Sequence, residues 1–178
     1  MYSESLVQDV VIGEMAEHEW AGDPKVRDVI DGLISDIDFQ SSMNRLSGGQ
    51  RRRVNLARLL VGDWDVLMLD EPTNHLDIDA VNWLSRHLKN RWSKNQGGLL
   101  VVTHDRWFLD EVCTHTWEVH PGGLDSFEGG YAAYILQRAE LDRQAAAKES
   151  RRQNLLRKEL AWLRRGAPAR TSKPKSES

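Results

Sequence analysis

The chain of 178 residues has one cysteine, Cys113, so it cannot form an intramolecular disulfide. This excludes a small protein held together by disulfides, and the cysteine usage fits a reducing compartment. No apolar run approaches the roughly 20 residues that span a bilayer, and no signal-peptide pattern opens the chain. These absences predict a cytoplasmic protein without a transmembrane domain.

Charge of both signs is plentiful but unevenly distributed. Hydrophobic residues make up 40% and charged residues 29% of the chain, which is typical of a globular protein and too balanced for wholesale disorder. The net charge is −3. Residues 138–178 carry 12 Lys and Arg against 5 Asp and Glu, whereas residues 1–137 carry 12 against 22. The chain therefore combines an acidic body with a basic C-terminal segment.

Two helix starts are visible in the first half of the chain. Asp23-Pro24 combines a capping residue with a proline suited to the first helical position, and the apolar spacing that follows predicts a helix of about 14 residues. Ser47 and Gln50 occupy the positions of a capping box, so Leu46-Ser47-Gly48-Gly49-Gln50 is predicted to lead directly into a helix. Gly62-Asp63 would end that second helix.

A strand–helix–strand unit follows. Residues 66–69 and 99–102 are short apolar runs of the kind found in buried parallel strands, and apolar residues at helical spacing predict an amphipathic helix between them. The right-handed crossover of a parallel sheet places both strand ends at one edge. Asp70-Glu71 follows the first strand and His104-Asp105 follows the second. We therefore expect these polar side chains to lie close together at that edge of the sheet.

The last third predicts a short helix over residues 107–112, a hairpin and a long helix. Residues 116–119 and 124–127 flank a Pro-Gly-Gly turn. No breaker interrupts the chain from about Tyr131 to Arg165, and a helix of that length would extend roughly 50 Å, more than the width of a small domain. We therefore predict a projecting helix that ends at Gly166-Ala167-Pro168.

The acidic pair and the histidine are the first candidate site. A carboxylate pair after a buried strand commonly provides one acid that holds Mg²⁺ and one that orients or deprotonates a nucleophile. The imidazole of His104 could donate to a phosphate oxygen or hold the attacking water. Taken singly, a helix-capping Asp70, a solvated Glu71 and an exposed histidine account equally well for these residues.

The turn at Ser47-Gly48-Gly49-Gln50 is the second candidate. It offers unhindered N–H groups, a hydroxyl and a helix dipole at one point, which suits an anion. The alternative is a glycine-rich turn with an ordinary helix cap.

The order of these segments resembles the ATP-binding-cassette ATPases. Leu46-Ser47-Gly48-Gly49-Gln50 is similar to the signature loop, and residues 66–71 to the Walker B strand with its catalytic glutamate. Asn74-His75-Leu76-Asp77 resembles the D-loop and His104 the switch histidine. The amino-acid sequence of residues 70–77 resembles that of the ABC-F subfamily, whose members have two cassettes on one chain and no transmembrane domain. Residues 159–166 are similar to the start of the linker between cassettes in the Uup-like branch.

The resemblance implies an α/β fold: a partial ATP-binding cassette of the P-loop NTPase type, with parallel strands and flanking helices, followed by a long projecting C-terminal helix. It implies that residues 1–45 belong to the helical subdomain and residues 46–130 to the distal part of the cassette. Residues 131–165 would form a linker helix and residues 166–178 a flexible tail.

The resemblance also implies a role for each candidate residue, with ATP and Mg²⁺ as cofactors. Asp70 would support Mg²⁺, Glu71 would polarise the attacking water and His104 would contact the γ-phosphate. Asp77 would lie at the interface with a second cassette. The residues that would bind the γ-phosphate of ATP held by that second cassette are Ser47, Gly48, Gly49 and Gln50.

The sequence departs from the family in one large respect. No Gly-x-x-x-x-Gly-Lys-Ser/Thr occurs anywhere in it, and no convincing Q-loop is present. We therefore expect the chain alone to bind ATP weakly and to hydrolyse it negligibly. Incomplete sheet edges and uncovered apolar faces are also expected to promote self-association or poor folding.

The resemblance implies an ATPase that couples ATP binding and hydrolysis to ribosome function in translation, with its basic helix reaching towards tRNA. The arginines of that helix would contact RNA phosphates, or would form a solvated face, and DNA remains open as a further partner. Two other functions stay open. One is the ATPase subunit of a membrane transporter, and the other is a non-enzymatic module that docks on nucleic acid.

Overall fold

The computed structural model describes residues 5–13, 15, 17–94 and 96–165. The α-helices and β-strands, numbered in chain order, are α1 (Val7–Ile12), α2 (Glu17–Trp20), α3 (Pro24–Leu33), α4 (Gly48–Val61), β1 (Val66–Asp70), α5 (Ile78–Lys89), β2 (Gly98–Val102), α6 (Arg106–Val112), β3 (His115–His120), β4 (Gly123–Glu128) and α7 (Tyr131–Arg164). A short 3₁₀ helix, Met43–Arg45, precedes α4.

The predicted strand–helix–strand unit is confirmed. β1 and β2 pair in parallel, from Val66 opposite Gly98 to Asp70 opposite Val102, with α5 as the crossover. Burial alternates along β1, because Leu67 and Leu69 face the core while the side chains between and beside them are exposed. The prediction of a fully buried strand was therefore wrong for one face, which no element of the described chain covers.

The core lies between the inner face of this sheet and the helices α1, α3, α4, α5 and α6. Leu33, Leu60, Leu84 and Phe108 are among its fully buried side chains. Four of the six residues of helix α1 are buried, although the region before Asp23 shows no clear pattern in the sequence. Its short length explains this, since six residues are too few to establish an amphipathic period.

Helix α3 begins as predicted, with the Asp23 side chain accepting from the N–H of Lys25 and Pro24 at the first position. It has 10 residues and not about 14, because Ile34 leaves helical geometry at φ −136°. Arg53 donates to the carbonyl of Leu33 at 2.9 Å, satisfying one helix-end acceptor. Ile34 and Ile37 remain buried, since the turns beyond α3 keep them against the core.

The predicted hairpin is confirmed, as are the short helix before it, α6, and the long helix after it, α7. β3 and β4 pair antiparallel, with Val119 opposite Leu124, and Phe127 is buried. Helix α7 runs unbroken for 34 residues, or about 50 Å, close to its predicted bounds. The predicted stop at 166–168 and the tail at 166–178 lie outside the described residues. The described residues divide between Ala132 and Ala133 into two compact units.

None of the helices in the described part of the chain has the length and apolar character of a membrane span.

Candidate functional site

The carboxyl ends of β1 and β2 lie side by side, as the sequence predicted. Asp70 is the last residue of β1 and lies opposite Val102, the last residue of β2. The backbone N–H of Glu71 donates to the carbonyl of Val102 at 2.7 Å, which holds the two chain ends together just beyond the sheet. Residues 71 and 103–104 therefore leave the sheet at the same point.

Glu71 and His104 are brought into contact at this edge. The Nδ1 atom of His104 lies 2.9 Å from Oε1 of Glu71, and the hydroxyl of Thr103 donates to Oε2 at 3.2 Å. The Glu71 side chain is 30% exposed and that of His104 is 79% exposed, so the pair opens to solvent. The sequence predicted this convergence, and the geometry brings both groups together.

The contact favours the charged form of each partner. The hydrogen bond from His104 holds the pKa of the Glu71 carboxyl below its ordinary value, and the Thr103 hydroxyl acts in the same direction. The hydrogen bond to Glu71 raises the pKa of His104. At neutral pH Glu71 is thus ionised and can accept a proton or orient a water, while His104 is biased towards the imidazolium form.

Asp70 points its carboxylate away from the core, since it belongs to the exposed face of β1. An exposed carboxylate at a strand end, next to an ionised glutamate, is an oxygen donor of the type that Mg²⁺ prefers. One carboxylate with room for water and phosphate ligands fits the way that Mg²⁺ is usually held in phosphoryl-transfer sites.

The second candidate, the turn before α4, has the predicted capping box. The hydroxyl of Ser47 accepts from the N–H of Gln50 at 3.2 Å, and the Gln50 side chain accepts from the N–H of Ser47 at 3.0 Å. Within the described chain the N–H groups of Gly48 and Gly49 have no hydrogen-bond acceptor. A Cβ at Gly48 would meet nothing within 4 Å, so an anion can approach this backbone directly.

The turn before α4 and the loop after β1 touch each other. A Cβ at Gly49 would stand 3.4 Å from the Cβ of His75, which itself has a positive φ of 67°. The same loop ends at Asp77, whose side chain caps α5 by accepting from the N–H of Ala80 at 2.8 Å. Asp77 therefore has a structural task in this chain as the cap of α5.

Thr103 was not singled out from the sequence, and His75 was named only as part of the segment that resembles the D-loop. Thr103 binds the Glu71 carboxylate, and its position between the end of β2 and His104 was the available signal. His75 lies against Gly49 and has left-handed backbone geometry, neither of which the sequence shows.

Comparison with known proteins agrees with the geometry. A family model described as ABC transporter matches residues 14–74, and a second model with that description matches residues 117–177. The ABC transporter ATP-binding protein YfmR of Bacillus subtilis (strain 168), described as uncharacterized, is 43% identical over 162 residues. That match covers 90% of this chain and 25% of YfmR.

A second relative is the energy-dependent translational throttle protein EttA of Mycobacterium tuberculosis (strain H37Rv). It is 39% identical over 178 residues, which cover 98% of this chain and 31% of EttA. Among solved structures, the archaeal ribosome recycling factor aABCE1, in complex with the ribosomal stalk protein aP1, superposes with a TM-score of 0.61 at 26% identity. That superposition covers 77% of this chain and 27% of aABCE1.

The chain thus spans about a quarter to a third of these relatives. The ATP-binding subunit of an ABC transporter, at 18% identity and a TM-score of 0.59, shows the fold alone. The two family matches and the named relatives indicate the same family of ATP-binding proteins. The contact between Glu71 and His104 fits that family. The chain carries two segments of the ATP-binding-cassette family, and its relatives are consistent with a segment of an ABC-F ATPase.

Proposed function

We propose that this chain supplies the hydrolytic half-site of an ABC-F ATPase, which couples ATP binding and hydrolysis to ribosome function in the cytoplasm. The contact of 2.9 Å between Glu71 and His104 at the carboxyl edge of β1 and β2 carries the proposal. An ionised carboxylate beside an imidazole, open to solvent at a sheet edge, is suited to orient a water against a bound phosphate.

Each residue of the edge has a distinct task in this proposal. Glu71 polarises the attacking water, for which its lowered pKa keeps the carboxylate free of a proton. His104 holds Glu71 through Nδ1, and its imidazolium form can donate to the γ-phosphate through Nε2. Asp70 would hold Mg²⁺, which when bound neutralises charge on the phosphate oxygens.

The turn before α4 serves a different nucleotide in this proposal. The N–H groups of Gly48 and Gly49, the hydroxyl of Ser47 and the dipole of α4 would bind the γ-phosphate of ATP held by a second cassette. Gln50 would maintain the turn through the capping box. Asp77, on the loop that touches the turn, would lie at the interface between the cassettes.

The isolated chain is proposed to be nearly inactive, because the sequence holds no glycine-rich loop with the phosphate-binding lysine. Titration calorimetry of the chain with Mg-ATP is then expected to show no micromolar affinity. Micromolar binding by the chain alone would contradict this part of the proposal.

Substitution of Glu71 in a two-cassette protein that carries this segment tests the hydrolytic role. Glu71→Gln keeps the shape and the Thr103 contact but removes the base, so the closed, ATP-bound state is expected to accumulate while turnover falls about 100-fold or more. Asp79→Asn, a change of exposed charge within the first turn of α5, is the matched control and is expected to turn over normally. Unchanged turnover in the Glu71 variant would remove this residue from the mechanism.

A basic helix supports the ribosomal part of the proposal. Helix α7 has no buried residue. The basic side chains in its second half and directly after it are Arg151, Arg152, Arg157, Lys158, Arg164 and Arg165. Clustered arginines neutralise phosphate charge and make binding depend on salt. The names of EttA and aABCE1 connect those proteins with translation and the ribosome. We therefore propose residues 131–165 as a linker helix that contacts RNA.

Sedimentation distinguishes this function from its alternatives. The proposal expects the chain to pellet with ribosomes at low salt and to be released as salt rises. Charge reversal at Arg157 and Arg164 is expected to weaken that association, while reversal at Arg138, which neighbours Asp142, serves as control. Pelleting with membranes in place of ribosomes would favour a transporter subunit, and equal affinity for duplex DNA would favour a general nucleic-acid module.

A further inference from the structure

Thr103 makes two hydrogen bonds that fix the direction of its hydroxyl proton. Its Oγ1 accepts from the backbone N–H of Asp105 at 3.1 Å and lies 3.2 Å from Oε2 of Glu71. The N–H group can only donate and an ionised carboxylate can only accept. The hydroxyl therefore directs its own proton at Glu71.

Glu71 has a backbone conformation that needs such support. Its φ is 47°, in the left-handed region that residues with a side chain rarely adopt. Residues held in this region persist where surrounding contacts over-determine them, and they concentrate at functional sites. The backbone of Glu71 is held by the bond from its N–H to the carbonyl of Val102 and by the bond that its carbonyl accepts from the N–H of Asn74 at 3.2 Å. Its two carboxylate oxygens are held by His104 and Thr103.

The two carboxylate contacts are not equivalent. The His104 side chain is 79% exposed, so the imidazole is free to move on its solvent side. Thr103 is half-buried, is β-branched, and is tied by its hydroxyl to the start of α6 through Asp105. Of the two partners, Thr103 has the firmer attachment.

We propose that Thr103 is a positioning residue, which holds the Glu71 carboxylate in the one orientation that presents Oε1 to His104. A carboxylate has about four acceptor sites, so these two bonds leave others for a water. The catalytic meaning of this arrangement rests on the proposed function, whereas the arrangement itself is measurable without ATP.

The tautomer of neutral His104 reports on the orientation of Glu71. A histidine ring keeps its proton on the nitrogen that donates a hydrogen bond, so contact with Glu71 fixes the proton on Nδ1. Nitrogen NMR of the labelled full chain, above the pH at which His104 loses its charge, measures the share of the Nδ1–H form. Glu71→Ala supplies the reference for complete loss of the contact.

Three variants separate positioning from general loosening of the loop. Thr103→Val retains the shape and loses the hydroxyl, so a drop of the Nδ1–H share towards the Glu71→Ala value is expected. Thr103→Ser restores the hydroxyl and is expected to restore the share. Asp105→Ala removes the cap of α6, in which Asp105 accepts from Phe108 at 3.0 Å, but leaves the Thr103 hydroxyl in place.

The proposal requires Thr103→Val to change the tautomer while Asp105→Ala leaves it near the parent value. An unchanged tautomer in Thr103→Val, or an equal change in Asp105→Ala, would overturn it. A failure of the proposed ATPase function would instead appear as normal turnover in the Glu71→Gln variant of the two-cassette protein, so the two failures are distinguishable.

Discussion

Substitution of Ser47 separates its structural role from its proposed role in binding phosphate. Ser47→Ala removes the oxygen that accepts from Gln50 and so breaks the capping box at the start of α4. Loss of a serine cap costs about 1 kcal/mol of stability. In a chain of this size that corresponds to a fall of roughly 2–4 °C in the melting temperature.

Ser47→Asp is the matched variant. Aspartate caps a helix as well as serine does, and its charge is favourable at a helix N-terminus by about 0.3–1 kcal/mol. The first turn of α4 has no acidic residue that would oppose it. The Asp variant is therefore expected to melt at or above the parent temperature, although its carboxylate stands where the proposal places a γ-phosphate.

The assays are thermal and urea unfolding of the chain, followed by circular dichroism, and ATP turnover in a two-cassette protein that carries this segment. We expect Ser47→Ala to lose stability, and Ser47→Asp to retain stability but lose turnover through charge repulsion. If Ser47→Asp unfolded as readily as Ser47→Ala, capping would not explain the stability. If Ser47→Asp turned over normally, the turn would not bind phosphate.

Three further predictions concern the body of the chain. Leu84→Ala, at a fully buried position on α5, is expected to cost about 2–5 kcal/mol, whereas Ile78→Ala, at a position 79% exposed, is expected to cost under about 0.5 kcal/mol in urea unfolding. Asp36 is bound through both oxygens by Arg53, at 2.6 and 2.7 Å, and this contact lowers the pKa of the Asp36 carboxyl. A carboxyl with a lowered folded-state pKa stabilises the fold above its ordinary pKa of about 4 and loses that contribution as the pH falls. Asp36→Asn is expected to destabilise the chain by about 0.5–1 kcal/mol at pH 7 and by less near pH 2, and an equal loss at both pH values would refute the assignment. Met68 is 68% exposed on the open face of the sheet and is expected to drive self-association. Met68→Lys should therefore lower the molecular mass measured by light scattering, and a monomeric parent chain would contradict this.

Local signals in the sequence were sufficient for the elements that place the site. The capping box at Ser47 and the Asp-Pro start of α3 depend on contacts within a few residues, which short-range chemistry determines. The two apolar runs and the helix between them specify a crossover, whose handedness follows from general rules. The meeting of Glu71 and His104 follows directly from that crossover.

Long-range packing determined what the sequence did not show. Arg53, some twenty residues away, binds the carbonyl of Leu33 at the end of helix α3, a contact that the local sequence does not show. Ile78 fits the helical period of the buried residues, yet it is exposed because it lies on the first turn of α5. The left-handed geometry of Glu71 and the hydroxyl bond from Thr103 depend on register between strands, which residue types alone do not encode.

The central claim is that Glu71 and His104 act as one unit at the edge of the sheet. A double-mutant cycle of Glu71→Gln and His104→Ala, measured as ATP turnover in a two-cassette protein that carries this segment, tests it most directly. Residues that act as a unit are non-additive, so the double variant is expected to turn over about as slowly as the slower single variant. If the fold-losses in ATP turnover of the two single variants multiplied in the double variant, the account would be contradicted.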